Sequence, residues 1–221
     1  MKKITSKIAI LVIASLPFLG INSAAAAEFA IGVAGQFSGF YGVGKETSTS
    51  SGSSAARKTT EEAGAFDASN AAVFVELAAS DVLSFGIEYI PEEIDTPSNK
   101  NVQDSLTNTV SASFNDHTTI YANIGLPMLS GAYLKVGYIM VDVATKESLG
   151  TGGAYPDVNT TGITAGLGYN HDLPNGIFVR AEVSAAQYED VSAANNAEAD
   201  KVVSVRDMMS ATAQIKLGKR F

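Results

Sequence analysis

The chain has no cysteine, no tryptophan and two histidines, and only 17% of its 221 residues are charged. Without thiols there is no cysteine nucleophile, no cysteine-ligated metal and no disulfide staple, so backbone hydrogen bonds and packing must hold the fold. Two separated histidines, His117 and His171, do not make a metal site, and no cofactor is expected. The formal charge of −8 carries no basic footprint for nucleic acid. Beyond the amino terminus no apolar run approaches the roughly 18–20 residues of a spanning helix, which excludes helical membrane passage.

The amino terminus is a different case. Lys2, Lys3 and Lys7 precede an apolar stretch over 8–21, interrupted by Pro17, and small residues ending in Ala25-Ala26-Ala27 lead to Glu28. This is the layout of a cleaved secretory signal peptide. Its removal takes three lysines from the −8, leaving −11 on residues 28–221, which are read as one domain.

What the exported part has in abundance is alternation. Side chains on a strand point to opposite faces with a period of 2. Eight stretches follow that period: 29–44, 69–79, 82–90, one ending in 118–126, 132–141, 162–170, 176–185 and one running to Phe221. In the seventh, Ile177, Val179, Ala181 and Val183 share one face while Phe178, Arg180, Glu182 and Ser184 share the other. The fourth is read as a single strand that continues upward through Asn115-Asp116. The connections alternate in length. The segments 45–66, 91–105, 145–159 and 189–201 are long and polar, and Ser80-Asp81, 127–131 and 171–176 are short turns.

Eight antiparallel, alternating strands with short connections imply an all-β, up-and-down barrel. The composition of the two faces decides which one is inside. One face carries Gly, Ala, Ser, Thr and Asn with six charges, Glu76, Glu88, Lys135, Arg180, Glu182 and Lys216. Small residues with three acids balanced by three bases suit the narrow lumen of an eight-stranded barrel. The other face is apolar, with Phe29, Tyr169 and Phe221 towards the short-turn end and Tyr41 and Tyr89 towards the long-loop end, in the manner of membrane-interface girdles. The expected fold is therefore a transmembrane barrel with the six charges turned inward, crowded at one level and paired across the lumen.

The last strand, "AQIKLGKRF", resembles the carboxy-terminal assembly signal of outer-membrane barrels through Ala213, Ile215, Leu217 and Phe221, with Lys219 departing from it. With "FVRAEVSAAQYEDV" and the preceding "GITAGLGYNHDL", it makes the whole exported chain similar to the small eight-stranded outer-membrane barrels. These comprise the opacity and surface-antigen group and the barrel domain of outer membrane protein A. The resemblance implies a bacterial outer-membrane monomer in contact with membrane lipid and lipopolysaccharide. Periplasmic chaperones and the barrel assembly machinery would handle it during biogenesis.

A fold of this kind hosts several functions. The expected one is a structural or surface-contact role with a plugged interior. A narrow pore for small solutes or ions is the first alternative, and an exported soluble lipocalin-like barrel binding an apolar ligand is the second. Catalysis is not expected. His117, with Asp116, Ser111 and Ser113 nearby, reads as a rim or loop histidine, because neighbours on a strand face opposite ways and Asp116 cannot orient its ring.

Overall fold

The computed structural model describes residues 28–49, 57–103, 105–150 and 153–221. The signal-peptide reading of 1–27 lies outside the described residues. Strands β1 (Glu28–Thr49), β2 (Arg57–Ser80), β3 (Leu83–Ile90), β6 (Leu106–Gly125), β7 (Ala132–Leu149), β8 (Val158–Asp172), β9 (Ile177–Tyr188) and β11 (Val202–Arg220) form the wall, each antiparallel to the next. Three short strands, β4 (Ile94–Asp95), β5 (Asn99–Gln103) and β10 (Val191–Ala194), pair only at the long-loop end.

The sheet closes on itself because β1 pairs with β2 on one edge and with β11 on the other. At the seam, the Phe221 amide donates to the Phe29 carbonyl at 2.8 Å, and the Phe29 amide returns a bond at 3.4 Å. The carboxy-terminal residue thus stitches the last strand to the first.

Alternation makes the outer face apolar. Phe37, Val136, Ile163, Leu167, Val183, Ile215 and Leu217 are all exposed outward. On β7 the apolar outward run from Ala132 to Met140 ends at Asp142, a band about 20 Å tall for a tilted strand. Tyr169 and Phe221 mark its short-turn edge, and Tyr41 and Tyr138 its long-loop edge. Large apolar side chains left in water on this scale are costly, so the band is built for lipid.

The inner face is close-packed by pairing glycine with aromatic rings. Phe74 stands opposite Gly32, Tyr121 opposite Gly86, Tyr133 opposite Gly168 and Phe178 opposite Gly218, each in direct cross-strand register. At all four glycines an added Cβ would fall inside the facing ring. Each ring lies flat over bare backbone, so four large side chains fit a lumen too narrow for eight.

The structure corrects two expectations. The segment 45–66 is not a loop over most of its length, since β1 and β2 stay in register from Glu28↔Ala78 up to Thr49↔Arg57. Ser, Thr, Ala and Gly carry no long apolar face to reveal that strand. Second, 91–105 contains β4 and β5, and 189–201 contains β10. The fourth strand is single, as expected, running through Asn115-Asp116 as β6, and its phase changes part-way. A bulge falls between Asn115 and Thr118, where Asp116 adopts a left-handed conformation with φ 51°. A second bulge, with Asp207 at φ 53°, interrupts β11 against Tyr41 and Val43 of β1.

Candidate functional site: a charged layer in the lumen

The structure brings all six charged side chains of the inner face together, each under 8% exposed. Arg180 on β9 reaches across the lumen to Glu76 on β2. Its Nη1 donates to Glu76 Oε2 at 2.6 Å and its Nη2 to Oε1 at 2.8 Å, a two-pronged pairing that fits the planar guanidinium. Arg180 Nε donates to Asn170 Oδ1 at 2.9 Å, and the rings of Phe178 and Tyr133 flank the guanidinium at 4.5 and 5.5 Å. Glu76 also accepts from the Tyr121 hydroxyl at 3.2 Å and from Asn123 at 3.1 Å.

The other four charges form a ring. Lys135 on β7 donates to Glu182 at 2.8 Å and lies 3.8 Å from Glu88; Lys216 on β11 lies 2.6 Å from Glu88 and 3.6 Å from Glu182. Each lysine thus serves both carboxylates. The short Lys216–Glu88 contact is an ion pair without a well-aligned hydrogen bond. Glu182 accepts further bonds from the Tyr133 hydroxyl at 2.8 Å and from Gln214. Lys216 sits over the rings of Phe74 and Tyr121 at 5.2 and 5.0 Å. A buried charge without a partner costs several kcal/mol, so each of the six charges depends on the others for its compensation.

Above this layer lies a small chamber of about 40 Å³, lined among others by Gln36, Glu88, Thr119, Thr164, Ser184 and Gln214. Its roof is partly apolar. Phe40, Phe66 and Phe114 stack with near-parallel planes at centroid distances of 4.9, 5.9 and 6.3 Å, against Ile90 and Ile94. The rest of the roof is His117, whose Nε2 lies 3.4 Å from the Tyr188 hydroxyl, itself 3.3 Å from Ser210 Oγ. His117 therefore lines the lumen instead of standing on the rim. Period 2 counted up from Asn123, Tyr121 and Thr119 already places His117 on the inner face, and its unbroken register opposite Ile90 confirms that the strand continues past the expected rim. Asp116 itself accepts from the Tyr89 hydroxyl at 2.8 Å, and Ser111 donates to the Lys146 carbonyl at 3.4 Å, so neither activates the other.

Sequence reasoning missed the aromatic participants. Tyr121 and Tyr133 share the period-2 phase of Asn123 and Lys135, but nothing in that phase shows their hydroxyls as partners of Glu76 and Glu182. The signal was the glycine directly across from each ring, and it becomes readable only once the register is known. Among the described residues, no group of three or more histidine, aspartate or glutamate side chains converges as a metal would require. Ala213, Ile215, Leu217 and Phe221 all face outward on the final strand.

A closed eight-stranded wall, an apolar outer band and a filled polar lumen define the class: this is a small β-barrel of the outer-membrane type. Among solved structures the chain is similar to the outer membrane protein OprG from Pseudomonas aeruginosa. The two share 13% identity over 89% of this chain and 96% of that one, with a TM-score of 0.55. It is also similar to the outer membrane protein AlkL determined in DMPC lipid bilayers, at 12% identity over 91% of this chain and 94% of that one, with a TM-score of 0.50. No protein-family profile matches the chain, and no curated protein does. At such identities the likeness establishes the fold: the chain has the fold of the small eight-stranded outer-membrane barrels.

Proposed function

We propose that the protein is an integral barrel of the bacterial outer membrane whose lumen is closed, and whose role is structural or one of surface contact. Both chain ends and the short turns face the periplasm, and the long loops face outward. The observation that carries this reading is the charge layer. Six buried ionic groups consume one another at a single level of a lumen already narrowed by four aromatic rings. An ion crossing that layer would have to break at least one pair in a medium that cannot replace its partner.

The chamber above it speaks against the soluble, ligand-binding alternative. Ligand pockets run to roughly 300–1,000 Å³, while this one is about 40 Å³, room for a few waters. The apolar outer band also needs lipid. Lipopolysaccharide and membrane lipid are the partners this surface fits. The outward Ala213, Ile215, Leu217 and Phe221 are the residues offered to periplasmic chaperones and the assembly machinery, and no second copy is needed to complete the wall. No catalytic role is assigned: the Ser111 hydroxyl is turned to the Lys146 carbonyl, and His117 faces the Tyr188 phenol, which is not an ordinary nucleophile for acyl transfer.

The test is conductance. Folded protein in a planar bilayer should show no steady ion current, and a large, stable channel would replace this reading with the pore alternative. Membrane insertion has its own check: the unheated protein should run faster than the boiled one on an SDS gel, because a closed hydrogen-bonded wall resists detergent. Release by osmotic shock without detergent would contradict it.

A further inference from the structure

The hydrogen-bonded wall is not continuous at its outer end. β2 pairs with β3 only from Ser80↔Leu83 up to Val73↔Tyr89. Above that point, from Ala72 to Arg57, β2 is bonded among the described residues to β1 alone. Across the interruption, β4 and β5 pair only with β6. The inner side of the gap is filled by the Phe40–Phe66–Phe114 stack with Ile90 and Ile94. The interruption therefore leads to no passage; it leaves a strand edge in water.

That edge carries charges, Arg57, Lys58, Glu61, Glu62 and Asp67, but lacks two of the usual protections. Between residues 57 and 72 there is no proline, and the register with β1 runs unbroken without a bulge. Residues 59–65 are exposed, and most are small. An edge of this length presents a row of backbone donors and acceptors for an added strand.

The flanking charges select the strand. Glu62 and Asp67 on β2 and Glu92 across the gap are exposed and form no ion pair among the described residues, whereas Glu61 is held by Arg206, and Glu93 and Asp95 by Lys146. In the segments beyond the membrane band (42–69, 91–117, 141–160 and 188–207) acids outnumber bases by more than two to one. Like charge rejects a second copy of this acidic chain, and opposite charge draws a basic one.

We propose that the outer edge of β2, residues 57–69, is a docking site for an extended, basic polypeptide segment that adds to the sheet as a further strand. The proposal deepens the surface-contact reading and relies on its outward placement of the long loops. It is separable from the closed lumen, since a conducting barrel would leave the edge unchanged.

The experiment uses the full folded chain in detergent micelles and a fluorescent ten-residue peptide alternating lysine and threonine. Anisotropy should report saturable binding, and hydrogen exchange should slow in residues 59–69. The same peptide with alternate backbone nitrogens methylated should bind at least tenfold more weakly, as should the wild-type peptide to the double variant Glu62→Lys, Asp67→Lys. The heat-dependent gel shift confirms that the variant is folded. No binding by the wild type would overturn the proposal. So would equal binding of the methylated peptide without protection of β2, which would mark adsorption by charge alone. An unchanged affinity for the double variant would overturn the basic character assigned to the partner.

Discussion

Replacing Arg180 by methionine removes three charge-assisted hydrogen bonds, two to Glu76 and one to Asn170, while keeping much of the side-chain volume between Phe178 and Tyr133. Glu76, 6% exposed, is left with only the Tyr121 hydroxyl and the Asn123 amide. Breaking a buried pair from one side costs about 3–5 kcal/mol. The two remaining neutral donors, each worth about 1 kcal/mol, hold the loss near the lower figure. Arg180→Met should therefore destabilise the barrel by about 3 kcal/mol, and Glu76→Gln alone should cost somewhat less, because Gln still occupies the site without a charge. The informative variant is the double one, Glu76→Gln with Arg180→Met. It removes both charges, so it should be more stable than the sum of the single losses by about 2 kcal/mol. Tryptophan is absent, so unfolding is best followed by the gel shift of protein equilibrated with urea in lipid vesicles. Strictly additive losses would refute the pairing argument, as would a single-variant loss below about 1 kcal/mol.

Arginine at Val136, outward and mid-band, should cost about 2–4 kcal/mol and near the band's edge at Met209 about 0–1, while at the inward Thr164 the cost should not follow depth; equal costs at all three sites would reverse the inside-out assignment. Gly168→Ala drives a methyl into the Tyr133 ring and should cost about 1–3 kcal/mol, whereas Gly35→Ala, whose new Cβ meets nothing within 4 Å, should be close to neutral in the same urea titration. Lys146 holds Glu93 and Asp95 at 2.8 and 2.7 Å in the open, so Lys146→Ala should leave the urea midpoint unchanged yet speed hydrogen exchange in β4, and an unchanged exchange rate would sever that link.

The long strands were readable in the sequence because a barrel wall divides two solvents, and each solvent selects its own alternate positions. Arg180 and Glu182 could be assigned a side for that reason, two apart on one face with apolar residues between. Where both faces meet water, as in 45–66, the pattern vanishes although the strands continue, and only the backbone register shows them. The pairing of the charges was less legible than their side. Period 2 places Lys135, Lys216, Glu88 and Glu182 inward but is silent on which lysine meets which glutamate, since that depends on the stagger around the barrel. What a periodicity count could not see is the residue inserted at Asp116, which turns Phe114 inward although His117, Thr119 and Tyr121 set the opposite phase below it.

The bulges at Asp116 and Asp207 divide β6 and β11 each into two frames. Below them, every residue's address is fixed by the lipid, so an insertion of one amino acid would turn a strand inside out. Above them, the phase has already been reset at a point where the backbone tolerates an extra residue. The long-loop ends of β6 and β11 can therefore lengthen, shorten or diversify without the change propagating into the membrane band. A wall that must stay constant and a surface free to vary are joined at two aspartates in a left-handed turn, and variation among descendants of this chain should stop at those two residues.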